Sequence, residues 1–168
     1  MATCLGNFSE LSKQLQQILI KIIENENIAK LLEYKVSDRN DPAYDPLSQP
    51  IVDNPYKFLN TQVWSQTYKP PTDTQTVYIC VFFTKFRKSQ KNPYFKSGRI
   101  YVNIACHRDL WTINNGIRVY EIMHEIDSIL NRGDVTGSVS KDWFEGSDYM
   151  PISDLYNSMS LEYQFYDS

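Results

Sequence analysis

The histidines and cysteines are the residues best suited to chemistry in this sequence, and none has the spacing of a catalytic or metal site. His124 precedes a glutamate on a predicted helix, as in a zinc-protease motif, but Ser128 stands where the second histidine ligand would belong. Cys106 and His107 are adjacent in a predicted strand, where neighbouring side chains point to opposite faces, so they cannot form a nucleophile and its base. The sequence therefore predicts no catalytic residue, no metal site and no cofactor, and we expect that the protein is not an enzyme.

A basic segment, Lys85–Arg99, is the sharpest charge feature of the chain. Its cations lie within fifteen positions that contain no acid: Lys85, Arg87, Lys88, Lys91, Lys96 and Arg99. Interleaved aromatic residues suit base stacking combined with phosphate attraction. The same charges can instead dock on an acidic protein surface, or keep a solvated hairpin tip from aggregating at its edge. All three uses stay open, with nucleic acid placed third because the whole chain has a net charge of −3.

An acidic and aromatic segment, Asp142–Asp154, is the complement of the basic segment, since its charged residues are all acidic. Its predicted contact residues are Asp142, Trp143, Phe144, Glu145 and Asp148. Subunits of a head-to-tail ring present two different patches that must fit each other. In a protein that assembled in this way, the basic segment of one subunit would meet the acidic segment of the next. Pairing of the two segments within one subunit stays open as the alternative.

Two strands and a helix in the middle of the chain must position the basic segment. Val77–Phe83 is apolar on both faces, which predicts a buried strand, and Arg99–His107 alternates apolar and polar residues as a second strand. Their short connection favours antiparallel pairing. Asn114 and Asn115 then offer N-caps for a helix. Its apolar stripe has helical spacing: Ile122, Met123, Ile126, Ile129 and Leu130.

The two ends of the chain add a helix and a strand. An apolar stripe predicts a helix from about Ser9 to Glu24, followed either by its own continuation or by a short second helix capped by Asn27. Ser158–Phe165 alternates as a final strand. We expect one domain, residues 1–168, of the α+β class: a mainly antiparallel β-sheet covered by an N-terminal helix and a second helix.

A proline-rich stretch, residues 36–71, separates the first helix from the sheet. Proline and Asx residues favour turns, so we expect an extended arm or loop, with a further strand at Val63–Tyr68. Its apolar residues are too many for a free loop: Leu47, Ile51, Val52, Tyr56, Phe58 and Leu59. We expect neighbouring subunits to order this arm.

Composition limits the class of protein. The chain has 168 residues and three cysteines, two of them in predicted strands, which suits one domain made in a reducing compartment. No apolar run approaches the ~20 residues of a membrane span. The start of the chain lacks the basic-then-apolar order of a signal peptide. We expect a soluble protein that is synthesised in the cytoplasm and has no membrane partner.

The order of these elements resembles the tail-terminator and head–tail joining (neck) proteins of tailed bacteriophages. The resembling parts are the N-terminal helix ending in Asn27–Tyr34, the strands Val77–Phe83 and Arg99–His107, the helix Ile117–Asn131 and the strand Ser158–Phe165. The sequence departs from such proteins by its long arm and by a large segment before the last strand, Arg132–Asn157. These departures leave open whether it sits on the tail tube, the portal or another ring.

The resemblance implies a structural subunit without catalytic residues. It implies a homo-oligomeric ring, a hexamer in preference to a dodecamer, in the neck or tail of a virion assembled in the host cytoplasm. The expected partners are neighbouring neck, portal or tail-tube proteins, and genomic DNA that passes through the channel without sequence-specific binding. The alternative function is a small nucleic-acid-binding domain that uses residues 85–99.

Overall fold

A computed structural model of the chain describes residues 8–71, 74–88, 96–132 and 143–166, with the backbone alone described at 96, 132, 143, 165 and 166. Its helices are α1 (Phe8–Glu24), α2 (Glu26–Glu33) and α3 (Arg118–Arg132). Its strands are β1 (Val63–Trp64), β2 (Val77–Lys88), β3 (Lys96–His107), β4 (Thr112–Ile113), β5 (Gly116–Ile117), β6 (Trp143–Pro151) and β7 (Tyr156–Tyr166). Within these residues, no helix is both long and apolar enough to cross a membrane.

Five strands form one sheet in the order β1-β2-β3-β7-β6. Every pairing in it is antiparallel except that of β1 with β2. The register places Val81 opposite Val102 and Val102 opposite Leu161, so apolar residues of three strands share one face. The α+β class with a mainly antiparallel sheet is confirmed, and the predicted hairpin is longer at both strands than its apolar pattern indicated.

All three helices pack on that apolar face, and the core lies between them and the sheet. Fully buried side chains from α1, α3, β2 and β3 meet there, including Ile22, Ile126, Ile79 and Ile104. None of the helices in the described residues lies over the opposite face of the sheet. A smaller cluster around Tyr78, Ala105 and Tyr156 lies on that side. The helix-free face is therefore where strand side chains remain available for contacts.

The polar break after the first helix separates two helices, α1 and α2. Asn25 is the N-cap of α2, and its side-chain oxygen accepts a hydrogen bond from the Ile28 backbone N–H at 2.9 Å. The prediction that Asn27 caps this helix is wrong. Asn27 instead donates to Glu125 at 2.8 Å, and Asn25 donates to the same carboxylate at 2.9 Å. These two hydrogen bonds hold the α1–α2 junction against α3.

The predicted N-caps of α3 are also wrong. Asn114 and Asn115 form the turn of a small hairpin between β4 and β5, and α3 begins only at Arg118. Asn115 has φ 59°, the left-handed conformation that asparagine tolerates better than most residues. An Asn-Asn pair followed by glycine is as typical of such a turn as of a helix start.

The proline-rich arm packs on its own chain. It contains three short 3₁₀ turns, Pro42–Tyr44, Pro46–Ser48 and Pro55–Phe58, each opened by a proline that presets φ. Phe58 and Val63 are buried in the core, although Ile51 and Tyr56 are exposed. The arm thus makes contacts within its own subunit, and the expectation that neighbouring subunits order it stays a prediction. Only Val63–Trp64 of the strand predicted over residues 63–68 forms.

Candidate functional site

Most of the acidic segment is a strand of the sheet, β6, which the sequence analysis did not predict. β6 pairs with β7 and has no strand on its other side within the described residues, so it is an edge of the sheet. At the other side, β1 pairs only with Ile79 and Cys80 of β2. The basic segment contributes the far end of β2 and the start of β3. Both predicted patches therefore belong to one sheet, separated by the strands between β2 and β6.

Two cations of the basic segment are paired within the subunit. Lys85 Nζ lies 2.9 Å from Glu162 Oε1, and Arg99 Nη1 lies 3.0 Å from the same oxygen. The hydrogen bond from Lys85, with the charges of both cations, holds the pKa of the Glu162 carboxyl below its usual range. Glu162 opposes Tyr101 in the register, on the helix-free face. Sequence reasoning missed this carboxylate, although its place on the polar face of the last strand was the available signal.

The basic and acidic segments also touch each other directly. Arg99 Nη1 lies 3.7 Å from Glu145 Oε2. Glu145 is the extra residue of a β-bulge, because Phe144 opposes Tyr163 while Gly146 opposes Glu162. The alternative of pairing within one subunit is therefore realised for Arg99 and Glu145, whereas Lys85 pairs with Glu162, outside the acidic segment.

Other charges of the two segments are exposed and have no ion pair among the described residues. Arg87 and Lys88 are exposed at the end of β2 and form no ion pair with any residue that the structure describes. Asp148 is exposed on β6 and likewise has no ion pair in the described part of the chain. Lys91 and Asp142 lie outside the described residues, as do the side chains of Lys96 and Trp143.

Large apolar side chains accompany the acids on β6. Phe144, Tyr149 and Met150 are 48%, 58% and 45% exposed. Phe144 contacts the buried Tyr163 edge to face, with ring centroids 5.7 Å apart. Exposed aromatic residues beside charges are typical of the centres of protein interfaces. Strand β6 thus combines an unpaired backbone edge, apolar side chains and negative charge.

Cys106 and His107 are buried on opposite faces of the sheet, and His124 is exposed on α3. His107 packs edge to face on Tyr156, and its Nδ1 accepts a hydrogen bond from the Asp109 backbone N–H at 3.2 Å. Cys106 points into the core on the other face of the sheet, where burial raises the pKa of its thiol to about 12. The described residues contain no group of three or more His, Cys, Asp or Glu side chains able to hold a metal ion.

A polar cleft of about 660 Å³ lies between the arm and the β4–β5 hairpin. Arg39, Asp41 and Asp45 line one side, and Asn114 and Asn115 line the other. The Asn114 backbone N–H donates to the Tyr44 carbonyl at 3.1 Å and fixes the hairpin against the arm. The cleft contains none of the residues that the sequence analysis proposed for a subunit interface.

Comparison with known families finds a match over most of the chain. A model of the YomW family matches residues 25–165, which is most of the chain. YomW is a gene name of the type used for Bacillus phage SPBc2, and it associates the family with phages. No curated protein matches the chain.

Proposed function

We propose a structural role in a phage particle for this chain, which belongs to the YomW family. In this proposal the protein is a subunit of a homo-oligomeric ring in the neck or tail: a tail terminator, a head–tail connector or a tail completion protein. Copies associate head to tail, a hexamer in preference to a dodecamer, and the ring surrounds the channel through which genomic DNA passes. Its neighbours along the axis are portal, neck or tail-tube proteins.

One observation carries the proposal: the sheet presents two different, oppositely charged surfaces on its two sides. Arg87 and Lys88 lie at the end of β2, and Asp148 lies on β6, with β3 and β7 between the two strands. Asp148 is level with Cys80 in the register, seven residues from Arg87 along the strand direction. With the spacing between strands and the rise per residue of a sheet, the two surfaces are separated by about 27 Å. A head-to-tail contact joins two different surfaces of each subunit, and a ring results when the rotation closes.

Two further features support a structural role. The exposed apolar residues of β6 are of the kind that become buried when a partner docks. Partly buried polar groups also connect elements: Asn25 and Asn27 both donate to Glu125, which joins the first two helices to α3.

The test is the state of assembly. The full chain is purified and examined by sedimentation velocity and negative-stain electron microscopy, alone and with its particle's neck and tail proteins. The expected result is a closed ring of uniform symmetry, formed alone or on mixing. A protein that stays monomeric in every mixture, and that is absent from purified particles by mass spectrometry, would overturn the proposal.

A further inference from the structure

We propose that β6 is the strand that joins the subunits: it accepts the end of β2 from a neighbouring copy as an added antiparallel strand. This inference rests on the proposed ring function and names the surface through which its subunits meet. The occupant of the β6 edge is thus a second copy of the same chain. Sheets of adjacent subunits become continuous across the contact.

The backbone of β6 has groups pointing away from the sheet. The Met150 carbonyl accepts a hydrogen bond from Ser158 Oγ at 2.8 Å, and the Asp148 carbonyl accepts one from Ser160 Oγ at 3.3 Å. These two carbonyls therefore face β7. Backbone groups of an antiparallel edge strand alternate in direction, so those of the residues between, Ser147 and Tyr149, face outward.

The sequence of β6 favours an outer edge that can pair with an added strand over a short length. Pro151 has no N–H and follows the same alternation as Ser147 and Tyr149, so the missing donor falls on the outer side. The bulge at Glu145 ends the regular ladder at the other end. The outer edge is therefore a short pairing segment, Gly146–Met150, between a bulge and a proline. A segment of that length suits a defined contact better than open-ended aggregation.

Charge selects β2 as the occupant. Two β6 strands paired with each other would bring Glu145 and Asp148 of one copy close to the same acids of the other, and like charges across a ladder are unfavourable. Arg87 and Lys88, exposed and without an ion pair in the described residues, give the complementary sign. β1 pairs with β2 only at Ile79 and Cys80, so the outer edge of β2 after Cys80 has no paired strand within the described residues.

The strand directions fit the same arrangement. β2 is antiparallel to β3, β3 to β7, and β7 to β6, so β2 and β6 of one subunit run in opposite directions. The register places Asp148 level with Cys80, seven residues before Arg87 on β2. Contact with the end of β2 therefore requires strands that are inclined to the ring axis, which displaces neighbouring copies along the strands and keeps their directions. The β6 strand of one copy then lies antiparallel to β2 of the next, which continues the pattern of the sheet.

Two sets of variants test the inference on the full chain. S147P removes an outward N–H without touching a β6–β7 hydrogen bond, and S147A is its matched control. D148K reverses a charge with the backbone left intact, and the triple variant R87E/K88E/D148K exchanges the charges of the two surfaces. Assembly is measured by sedimentation velocity at low and high salt, and folding by circular dichroism.

We expect S147P to be folded and monomeric while S147A assembles like the unaltered protein. D148K should weaken assembly by roughly tenfold at low salt, less at high salt, and the charge exchange should restore it at least in part. Normal assembly of S147P would overturn the pairing through the β6 edge without contradicting the proposed ring. Failure of the charge exchange to restore D148K would overturn β2 as the occupant. If the unaltered protein formed no ring at all, that result would contradict the proposed function, on which this inference rests.

Discussion

Arg118 donates a hydrogen bond from Nη1 to the backbone carbonyl of Leu31 at 2.6 Å, joining residues 87 positions apart. Its Nε donates to the Leu110 carbonyl at 2.8 Å. The side chain is fully buried, and its Nη2 has no hydrogen-bond partner in the described part of the chain. Burial lowers the pKa of this guanidinium. A cation at the first position of α3 thus binds the last turn of α2, where helix carbonyls lack partners and carry partial negative charge.

Replacing Arg118 with methionine should lower the free energy of unfolding by about 1–3 kcal/mol. The substitution keeps much of the side-chain volume but leaves the Leu31 and Leu110 carbonyls buried without donors, and an unsatisfied buried acceptor has a cost of this size. Urea denaturation followed by circular dichroism measures the change.

Arg108 is the matched control, because its side chain is 60% exposed. Arg108→Met should change the free energy of unfolding by no more than about 0.5 kcal/mol, as is usual for surface substitutions. Equal effects of the two substitutions would contradict the role assigned to Arg118.

Acid should weaken the fold through Glu162. The pKa of this carboxyl is lowered in the folded state, so its ion pairs with Lys85 and Arg99 contribute stability above its unfolded pKa of ~4.3. That contribution is lost as the pH falls through the still lower folded pKa. Urea midpoints measured between neutral pH and pH ~3 should decline over this window.

Glu162→Gln is the matching variant, since glutamine has the same shape and no titrating proton. Its free energy of unfolding should be lower at neutral pH and should fall less steeply with acid than that of the unaltered protein. Identical acid limbs for the two proteins would show that other carboxylates govern the decline.

The buried thiols should be inert while the protein is folded. Burial raises the pKa of Cys80 and Cys106, and both side chains are free and buried, so little thiolate is present at neutral pH and reagents cannot reach it. In a Cys4→Ser background, Ellman's reagent should label neither cysteine in buffer and both in denaturant. Rapid labelling of the folded variant would mean that the sheet opens locally.

The elements that the sequence predicted well are those in which apolar side chains follow a regular pattern over many residues. Ten residues of β2 pair with β3, and the apolar run of β2 and the alternation of β3 that indicated this hairpin also account for the burial of Ile79 and Ile104. Helix α1 ends at Glu24, as its apolar stripe predicted. In each case burial of one face fixes the element, and the pattern of burial is written directly in the residue types.

The elements that the sequence did not predict depend on tertiary contacts. Asn25 and Asn27 are equally good caps by type, and the choice falls to Asn25 because Asn27 is held by Glu125. β6 lacks an alternating pattern for two reasons. Its bulge at Glu145 changes which face the following side chains point to, and few side chains of an edge strand are buried, so fewer of them need to be apolar. The pairing of Arg99 with Glu145 likewise requires knowing that β7 lies between their strands.

DNA affinity is the last prediction, and it separates a ring subunit from a nucleic-acid-binding domain. Of the cations in the basic segment, Lys85 and Arg99 are held by Glu162, which reduces the positive charge that phosphates can meet. Duplex binding depends on counterion release, with a slope of about −0.9 in log K against log salt for each phosphate neutralised. We expect fluorescence anisotropy to show negligible affinity at physiological salt, and weak binding with a shallow slope at low salt.

Glu162→Gln frees both cations and is the sensitive control: if the basic segment were a DNA surface, this variant would bind more tightly and with a steeper slope. Tight binding by the unaltered monomer that is lost in R87E/K88E would make nucleic-acid binding the better account of the basic segment.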